Sequence, residues 1–413
     1  MRVPLLTAAL ALTTVASVPA ETTRPAEDAA TPLASGLPAR GQWRQGFSLA
    51  DVDGDGDLDL VHGPPRAGDA TPRLFLNDGR GRFARWSAAR FTASSRLDYG
   101  DAEAVDFDGD GRIDLALGSH LLGIGVLGGD GAGGFTPAAN APAWSGDAAF
   151  ATVALEAVDW DADGRIDLVA LAEGPRPSAE SRYGLLLLRN LGDRWVPLAG
   201  EDPGRLFGDG LAVGDLDGDG RPDAAAAARS VSHRGHLFLG RGADGWSLAV
   251  APRRERAYIF AVALCDLDGD GRDELAEGFF ERQGEEWRSG VDVLDLDPDG
   301  GWTRRLVLAG DGDDPPRALV CGPTPGDPHP DLVVGTSRGR LTLLPGDGRG
   351  GFDEPLPVAS RASNGGCGVR SLALADLDGD GSAELIGSLA ATDERGCARG
   401  GALRAWRLGS RRR

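Results

Sequence analysis

A nine-residue acidic pattern, Asp-x-Asp-x-Asp-Gly-x-x-[Asp/Glu], starts at Asp51, Asp106, Asp159, Asp215, Asp266 and Asp376. Successive copies lie 55, 53, 56 and 51 residues apart, and then 110, which is two periods. Midway through that gap, Pro323-Thr-Pro-Gly-Asp327-Pro-His-Pro-Asp331 is followed by Leu332-Val-Val-Gly335, matching the tails Asp59-Leu-Val-His-Gly63 and Asp114-Leu-Ala-Leu-Gly118 of intact copies. The chain therefore holds seven units, the sixth of which has Pro323 and Pro325 in place of its first two carboxylates. A fixed period near fifty residues means one supersecondary unit stacked on its neighbours, each unable to bury its apolar face alone.

The order inside each period fixes the unit. A short apolar run precedes the acidic loop (Phe47-Ser-Leu-Ala50, Tyr258 to Leu264) and a second follows it. A polar or Gly-rich connection leads to a third run, such as Arg73-Leu-Phe-Leu76 or His236-Leu-Phe-Leu239. After a tight turn an aromatic opens the fourth, at Phe83, Phe135, Trp195, Trp246, Trp302 and Phe352. Four strands per unit without helical periodicity describe a propeller blade, so an all-β, seven-bladed propeller of four-stranded blades is expected over residues 41–410. The last unit ends after its third run, Gly401 to Leu408. Counting back from Asp51 places the missing fourth strand near Ala29 to Ser35, where it would close the ring and hide sheet edges.

Carboxylates at positions 1, 3 and 5 of a tight loop converge on one point. Gly at position 6 permits the positive φ that wraps the chain around it, and a carboxylate at position 9 closes the cage. Hard oxygen donors in a flexible, many-coordinate cage select Ca²⁺. The expected ligands are Asp51, Asp53, Asp55 and Asp59; Asp106, Asp108, Asp110 and Asp114; Asp159, Asp161, Asp163 and Asp167; Asp215, Asp217, Asp219 and Asp223; Asp266, Asp268, Asp270 and Glu274; and Asp376, Asp378, Asp380 and Glu384. The position-7 carbonyls of Asp57, Arg112, Arg165, Arg221, Arg272 and Ser382 would add a backbone donor each. About six calcium ions follow. An EF-hand would need Glu at position 12, where His62, Leu117 and Ala170 stand in the first three loops. Asp295-Leu-Asp-Pro-Asp-Gly300 imitates a cage but has Thr303 at position 9 and falls between the third and fourth runs of its unit, so it reads as a hairpin.

Asp-Val-Asp-Gly-Asp-Gly-Asp-Leu-Asp-Leu-Val from Asp51 and Asp-Phe-Asp-Gly-Asp-Gly-Arg-Ile-Asp-Leu-Ala-Leu-Gly from Asp106 resemble FG-GAP (VCBS-type) repeats, as in integrin α-subunit propellers, over roughly residues 45–408. The resemblance implies a seven-bladed propeller with calcium in loops between the first and second strands, those loops on one face and ligands engaged at the other. The FG and GAP tripeptides are eroded and six loops are intact where integrins carry fewer, so an integrin-like ligand is not implied.

Composition narrows the function classes. The formal charge of −20 argues against nucleic acid, which needs a basic stripe. The six loops alone hold 26 carboxylates, so six Ca²⁺ would leave a mildly acidic surface. Residues 1–20, with Arg2 before the apolar run Val3 to Val15 and Ala20 at the cleavage point, read as a signal peptide, and residues 21–40 as a leader. A secreted or periplasmic monomer without membrane insertion is expected. Four cysteines allow three pairings: Cys367 and Cys397 share a repeat, whereas Cys265 and Cys321 precede neighbouring loops as either a bridge or buried thiols.

Catalytic patterns fall out of context. Gly335-Thr-Ser337-Arg-Gly339 occupies a strand-to-strand turn rather than a strand-to-helix elbow, and Gly123-Ile-Gly125-Val-Leu-Gly128 opens no helix. His62, His120, His233 and His236 fall in connections expected to be solvated. The fourth-to-first-strand connections carry Trp43, Tyr99, Trp144, Phe207 and Arg253-Arg254-Glu255-Arg256 beside Tyr258, the residue types that protein and sugar surfaces favour. A non-enzymatic binding or adhesion module for protein or polysaccharide is the expectation. The alternative is an extracellular lyase or hydrolase acting on a polysaccharide or phosphoester from the face opposite the calcium loops.

Overall fold

The computed structural model describes residues 30–44, 46–63, 71–92, 100–119, 123–140, 150–174, 184–229, 236–252, 254, 256–391, 397 and 400–410. The expected signal peptide (1–20) and most of the leader lie outside them. The chain enters as β1 (Ala30–Pro32) and then builds seven antiparallel sheets. Blade 1 is β2 (Phe47–Ala50), β3 (Asp59–His62), β4 (Arg73–Asn77) and β5 (Phe83–Arg85). An added strand β6 (Arg90–Phe91) runs parallel to the outer strand of blade 2, which is β7 (Ala102–Val105), β8 (Asp114–Ser119), β9 (Gly123–Gly129) and β10 (Gly134–Pro137). Blade 3 is β11 (Thr152–Val158), β12 (Asp167–Ala172), β13 (Leu185–Asn190) and β14 (Trp195–Leu198), and blade 4 is β15 (Gly208–Gly214), β16 (Asp223–Ala228), β17 (Leu237–Gly240) and β18 (Trp246–Ala249). Blade 5 has the longest strands, β19 (Ala257–Cys265), β20 (Glu274–Gln283), β21 (Glu286–Leu296) and β22 (Trp302–Gly310). Blade 6 is β23 (Pro316–Pro323), β24 (Pro330–Thr336), β25 (Leu341–Leu344) and β26 (Leu356–Ala359); β27 (Gly368–Ala375), β28 (Glu384–Ala390) and β29 (Gly401–Leu408) begin blade 7.

The second strand of each blade is sandwiched between neighbours on both faces, which is why it reads as an unbroken apolar run rather than an alternation. Every residue of β8, β12, β16 and β28 is buried. The core lies between blades: Val61 and Leu74 of blade 1 pack on Ala102, Leu115 and Leu117 of blade 2. Position 2 of the acidic loops, Val52, Phe107, Trp160, Leu216, Leu267 and Leu377, is buried in every intact copy.

The fourth strand of blade 7 comes from the other end of the chain. β1 pairs antiparallel with β29, Ala30 opposite Leu408 and Pro32 opposite Trp406. The following segment continues onto blade 1, where the Phe83 N–H donates to the Ser35 carbonyl at 2.7 Å. Leu37 and Trp43 complete a cluster with Leu377, Ile386 and Leu403. Residues 30–38 are thus part of the ring's seam rather than a free leader.

Both cysteine pairs are bridged. Cys265–Cys321 joins the ends of inner strands β19 and β23, whose Cα atoms sit 6.5 Å apart, inside the span a disulfide accepts. Cys367–Cys397 closes within blade 7 at 4.4 Å. Among the described residues no helix is long and apolar enough to cross a membrane.

Candidate metal centres

Each acidic loop follows the inner strand of its blade and is held by its own carboxylates. In the first, Asp51 Oδ1 accepts from the N–H groups of Gly54 (2.8 Å) and Asp55 (3.0 Å), and Oδ2 from that of Gly56 (2.9 Å). Gly56 at position 6 has φ +94°, the left-handed turn the motif requires. Position 4 is left-handed too, and in the third loop Ala162 occupies it with φ +57°.

Carboxylates from positions 1, 3 and 9 converge. Asp51, Asp53 and Asp59 bring oxygens within 4.8 Å of one another, as do Asp106, Asp108 and Asp114; Asp159, Asp161 and Asp167; Asp215, Asp217 and Asp223; and Asp266, Asp268 and Glu274, with one further such group among the described residues. These groups can hold a metal ion. The fit is sharpest at position 3 of the first loop, where Asp53 Oδ1 is shielded from solvent without a hydrogen-bond partner; the like oxygens of Asp161 and Asp378 belong to carboxylates that already pair with Arg189 and Arg407. A buried carboxylate oxygen in that condition calls for a cation. Burial and the Asp55 charge raise the Asp53 carboxyl above its ordinary range, and burial and the Asp219 charge do the same to Asp217.

Position 5 is drawn elsewhere. Asp55 accepts from the Asp57 N–H at 3.0 Å, and Asp163 pairs with the Arg165 guanidinium at 2.7 Å. Asp219 meets Arg221 at 3.3 Å, and Asp110 and Asp270 pair with Arg112 and Arg272. Position-7 arginines therefore act through their side chains as internal countercharges, a role that spacing alone did not reveal. Arg407 likewise pairs with Asp378 and, at 3.4 Å, with Glu384.

Position 9 does more than face the cluster. Asp59 Oδ2 accepts from the Val52 N–H at 3.0 Å and Oδ1 from the Asn77 N–H at 2.7 Å, tying the loop to the third strand. Asp114, Asp167 and Asp223 repeat both bonds. Burial, the largest cause, lifts Asp59, Asp223 and Glu274 to about 7 and Asp167 to about 6. In blade 6, which has lost positions 1 and 3, Asp331 still accepts from the Gly346 N–H at 2.8 Å and from the Thr324 hydroxyl. The imitation cage is a turn, with Asp297 and Gly301 hydrogen-bonded between β21 and β22.

The opposite mouth differs from expectation in several places. Trp43 is buried, its Nε1–H donating to the Arg40 carbonyl at 3.1 Å and its ring edge-on to His62 at 5.0 Å. His62 itself ends β3 in full burial and His236, just before β17, is buried with Nε2 2.6 Å from Glu277, so neither is a solvated loop histidine. Arg254 is committed to Asp292 (2.6 Å) and Glu281 (2.9 Å), over the Phe279 ring. Phe207 is half-buried against Gly174, Arg256 is exposed with φ +60°, and Tyr258 stacks on Phe260 at 6.1 Å. Tyr99, Trp144, Arg253, His120 and His233 lie outside the described residues.

Similar folds occur among solved structures. BBS1N in complex with ARL6DN shares 14% identity at a TM-score of 0.54, covering 92% of this chain and 98% of its own. The BP39L lectin from Burkholderia pseudomallei shares 13% at 0.57, covering 89% and 97%. At such identity the likeness is one of fold. No curated relative matches in sequence. An FG-GAP-like repeat model matches residues 51–117, 106–170, 215–276 and 326–387, more than half of the 413 residues. With seven four-stranded blades and acidic loops after their inner strands, the chain belongs to the FG-GAP-like repeat family.

Proposed function

We propose that this protein is an exported, calcium-stabilised β-propeller that serves as a binding or adhesion module for a protein or polysaccharide. The observation that carries the reading is the division of the ring into two ends. One end holds the acidic clusters, with a buried oxygen at Asp53 that lacks a hydrogen-bond partner. The other end opens the central channel, which the inner strands line. Positions 1, 3 and 9 would hold Ca²⁺, whose tolerance of many oxygen ligands suits carboxylates that already share their lone pairs with backbone N–H groups. The metal's contribution is structural charge compensation. Of the similar propellers, one is a lectin and one is held by a protein, so both partner classes suit the shape.

Native mass spectrometry should count about six calcium ions, falling by one in Asp161→Asn. A glycan-array and pull-down screen with and without calcium should find a ligand whose capture needs the metal-loaded fold. A protein that takes up no calcium, or captures nothing in either screen, contradicts the reading.

A further inference from the structure

The inner strands slip register at the same place in five consecutive blades. The breaks fall between Thr152 and Ala154, Gly208 and Leu211, Ile259 and Ala261, Pro316 and Ala318, and Val369 and Ser371. A bulge frees a residue from the alternation and re-aims its side chain. The freed residues, Val153, Asp209 with Gly210, Phe260, Arg317 and Arg370, all line the central channel, with Arg44 from the segment before β2. Because the breaks lie at the starts of the inner strands and the acidic loops follow their ends, this ring sits at the mouth away from the metal clusters.

Charge in this ring is unbalanced. Asp209 accepts from Arg229 at 2.8 Å and faces Arg317 at 3.5 Å, while Arg370 and Arg44 bring further guanidinium groups with contacts to main-chain carbonyls. Asp101 and Glu156 line the channel too, but Asp209 is the carboxylate that acts on Arg229, Arg317 and Arg370, in a chain of net charge −20. The Nε atoms of Arg44 and Arg317 are shielded from solvent and lack hydrogen-bond partners among the described residues. Burial and neighbouring guanidinium charges lower Arg370, and burial brings Arg317 down to about 10. Such a cluster is favourable to fill with a bidentate anion.

An aromatic row leads outward from it. Arg317 lies 3.9 Å over the Phe260 ring; Phe260 stacks on Phe280 at 5.8 Å and Phe280 on Trp287 at 4.4 Å, the last 43% exposed on the β20–β21 hairpin. Aromatic faces stack on the C–H faces of sugar rings, whereas an acidic peptide needs only the cations.

From this juxtaposition we infer that the channel mouth binds an acidic polysaccharide, its carboxylate or sulfate held by Arg317, Arg370 and Arg44 and a sugar ring further along the chain laid on the face of Trp287 turned away from Phe280. This rests on the binding-module reading and names the ligand class. The test is calorimetric titration of the full chain in calcium with oligogalacturonate, dextran sulfate, neutral dextran and polyglutamate. Oligogalacturonate or dextran sulfate should bind, the difference between them assigning carboxylate or sulfate, and neutral dextran should not. Affinity should fall at least tenfold in Arg317→Gln/Arg370→Gln and several-fold in Trp287→Ala, an exposed site where the fold is not at stake, with melting temperatures reported for both. Equal binding of polyglutamate that ignores Trp287→Ala would overturn the glycan class. Binding of a neutral glycan or a protein, unchanged in the arginine variant, would overturn the site and leave the module reading standing; no binding to any partner would overturn both.

Discussion

Asp331 keeps its place in the one loop that has lost its first two carboxylates, because the position-9 carboxylate is a backbone clamp whether or not its loop can hold a metal. Asp331→Ala should strand the Gly346 N–H in the interior and cost about 1–3 kcal/mol in denaturant melts, with no change in calcium count. Asp53→Asn should do the reverse, losing one calcium ion while the metal-free protein melts as before. The motif's spacing made the carboxylate positions legible. It did not show the clamp, because an Asp bound to a metal and an Asp bound to N–H groups are the same letter, nor did it show that Ala162 fills a left-handed position. Trp43 and His62 were misplaced at the surface because connections at a propeller mouth also tuck between blades. A pH effect belongs to this scale as well. Burial and the Asp101 charge hold the channel carboxyl of Glu156 at about 8, so the folded state keeps a proton that the unfolded chain releases near 4.5. That contribution is fully present below 4.5 and is lost as pH rises through 8. Glu156→Gln should therefore flatten the fall in melting temperature between pH 6 and 9, and an unchanged slope would count against the assignment.

Strands were readable because each is a short apolar run between Gly-rich turns, and the blades followed from four such runs per acidic loop. Two features of the elements were not. The register breaks of β11, β15, β19, β23 and β27 each shift a single residue, which leaves no compositional trace although it decides what faces the channel. The added strand β6 is two residues long and is held to blade 2 by the stacking of Phe91 on Phe135 at 5.4 Å. At the seam, β1 covers the edge of β29 with only three residues, yet Leu33 and Ser35 extend the hydrogen bonding to Ala405 and Phe83. Deleting residues 30–37 should expose that edge and yield oligomers by size-exclusion chromatography, as open sheet edges pair with one another. A deletion variant that stays monomeric with an unchanged melt would show that the ring closes without it.

At the scale of the whole molecule, the loop carboxylates gather after the inner strands, while guanidinium groups gather around Asp209 where those strands begin, in a channel that Asp101 and Glu156 also line. The repeat period revealed the ring, but the pole of arginines came from three blades and the segment before β2 with no shared motif, so it was invisible until the fold brought Arg44, Arg229, Arg317 and Arg370 together. If each cluster binds calcium with a Kd of about 10⁻⁴ M, as extracellular modules do, about 1 mM calcium stabilises the fold by about 1.4 kcal/mol per site. Six sites then contribute about 8 kcal/mol, comparable to the net stability of a domain. The direct measurement is a thermal melt of the intact chain in 1 mM calcium and again in excess EDTA. The account predicts a drop of many degrees on chelation, reversed when calcium is restored; superimposable melting curves would contradict it.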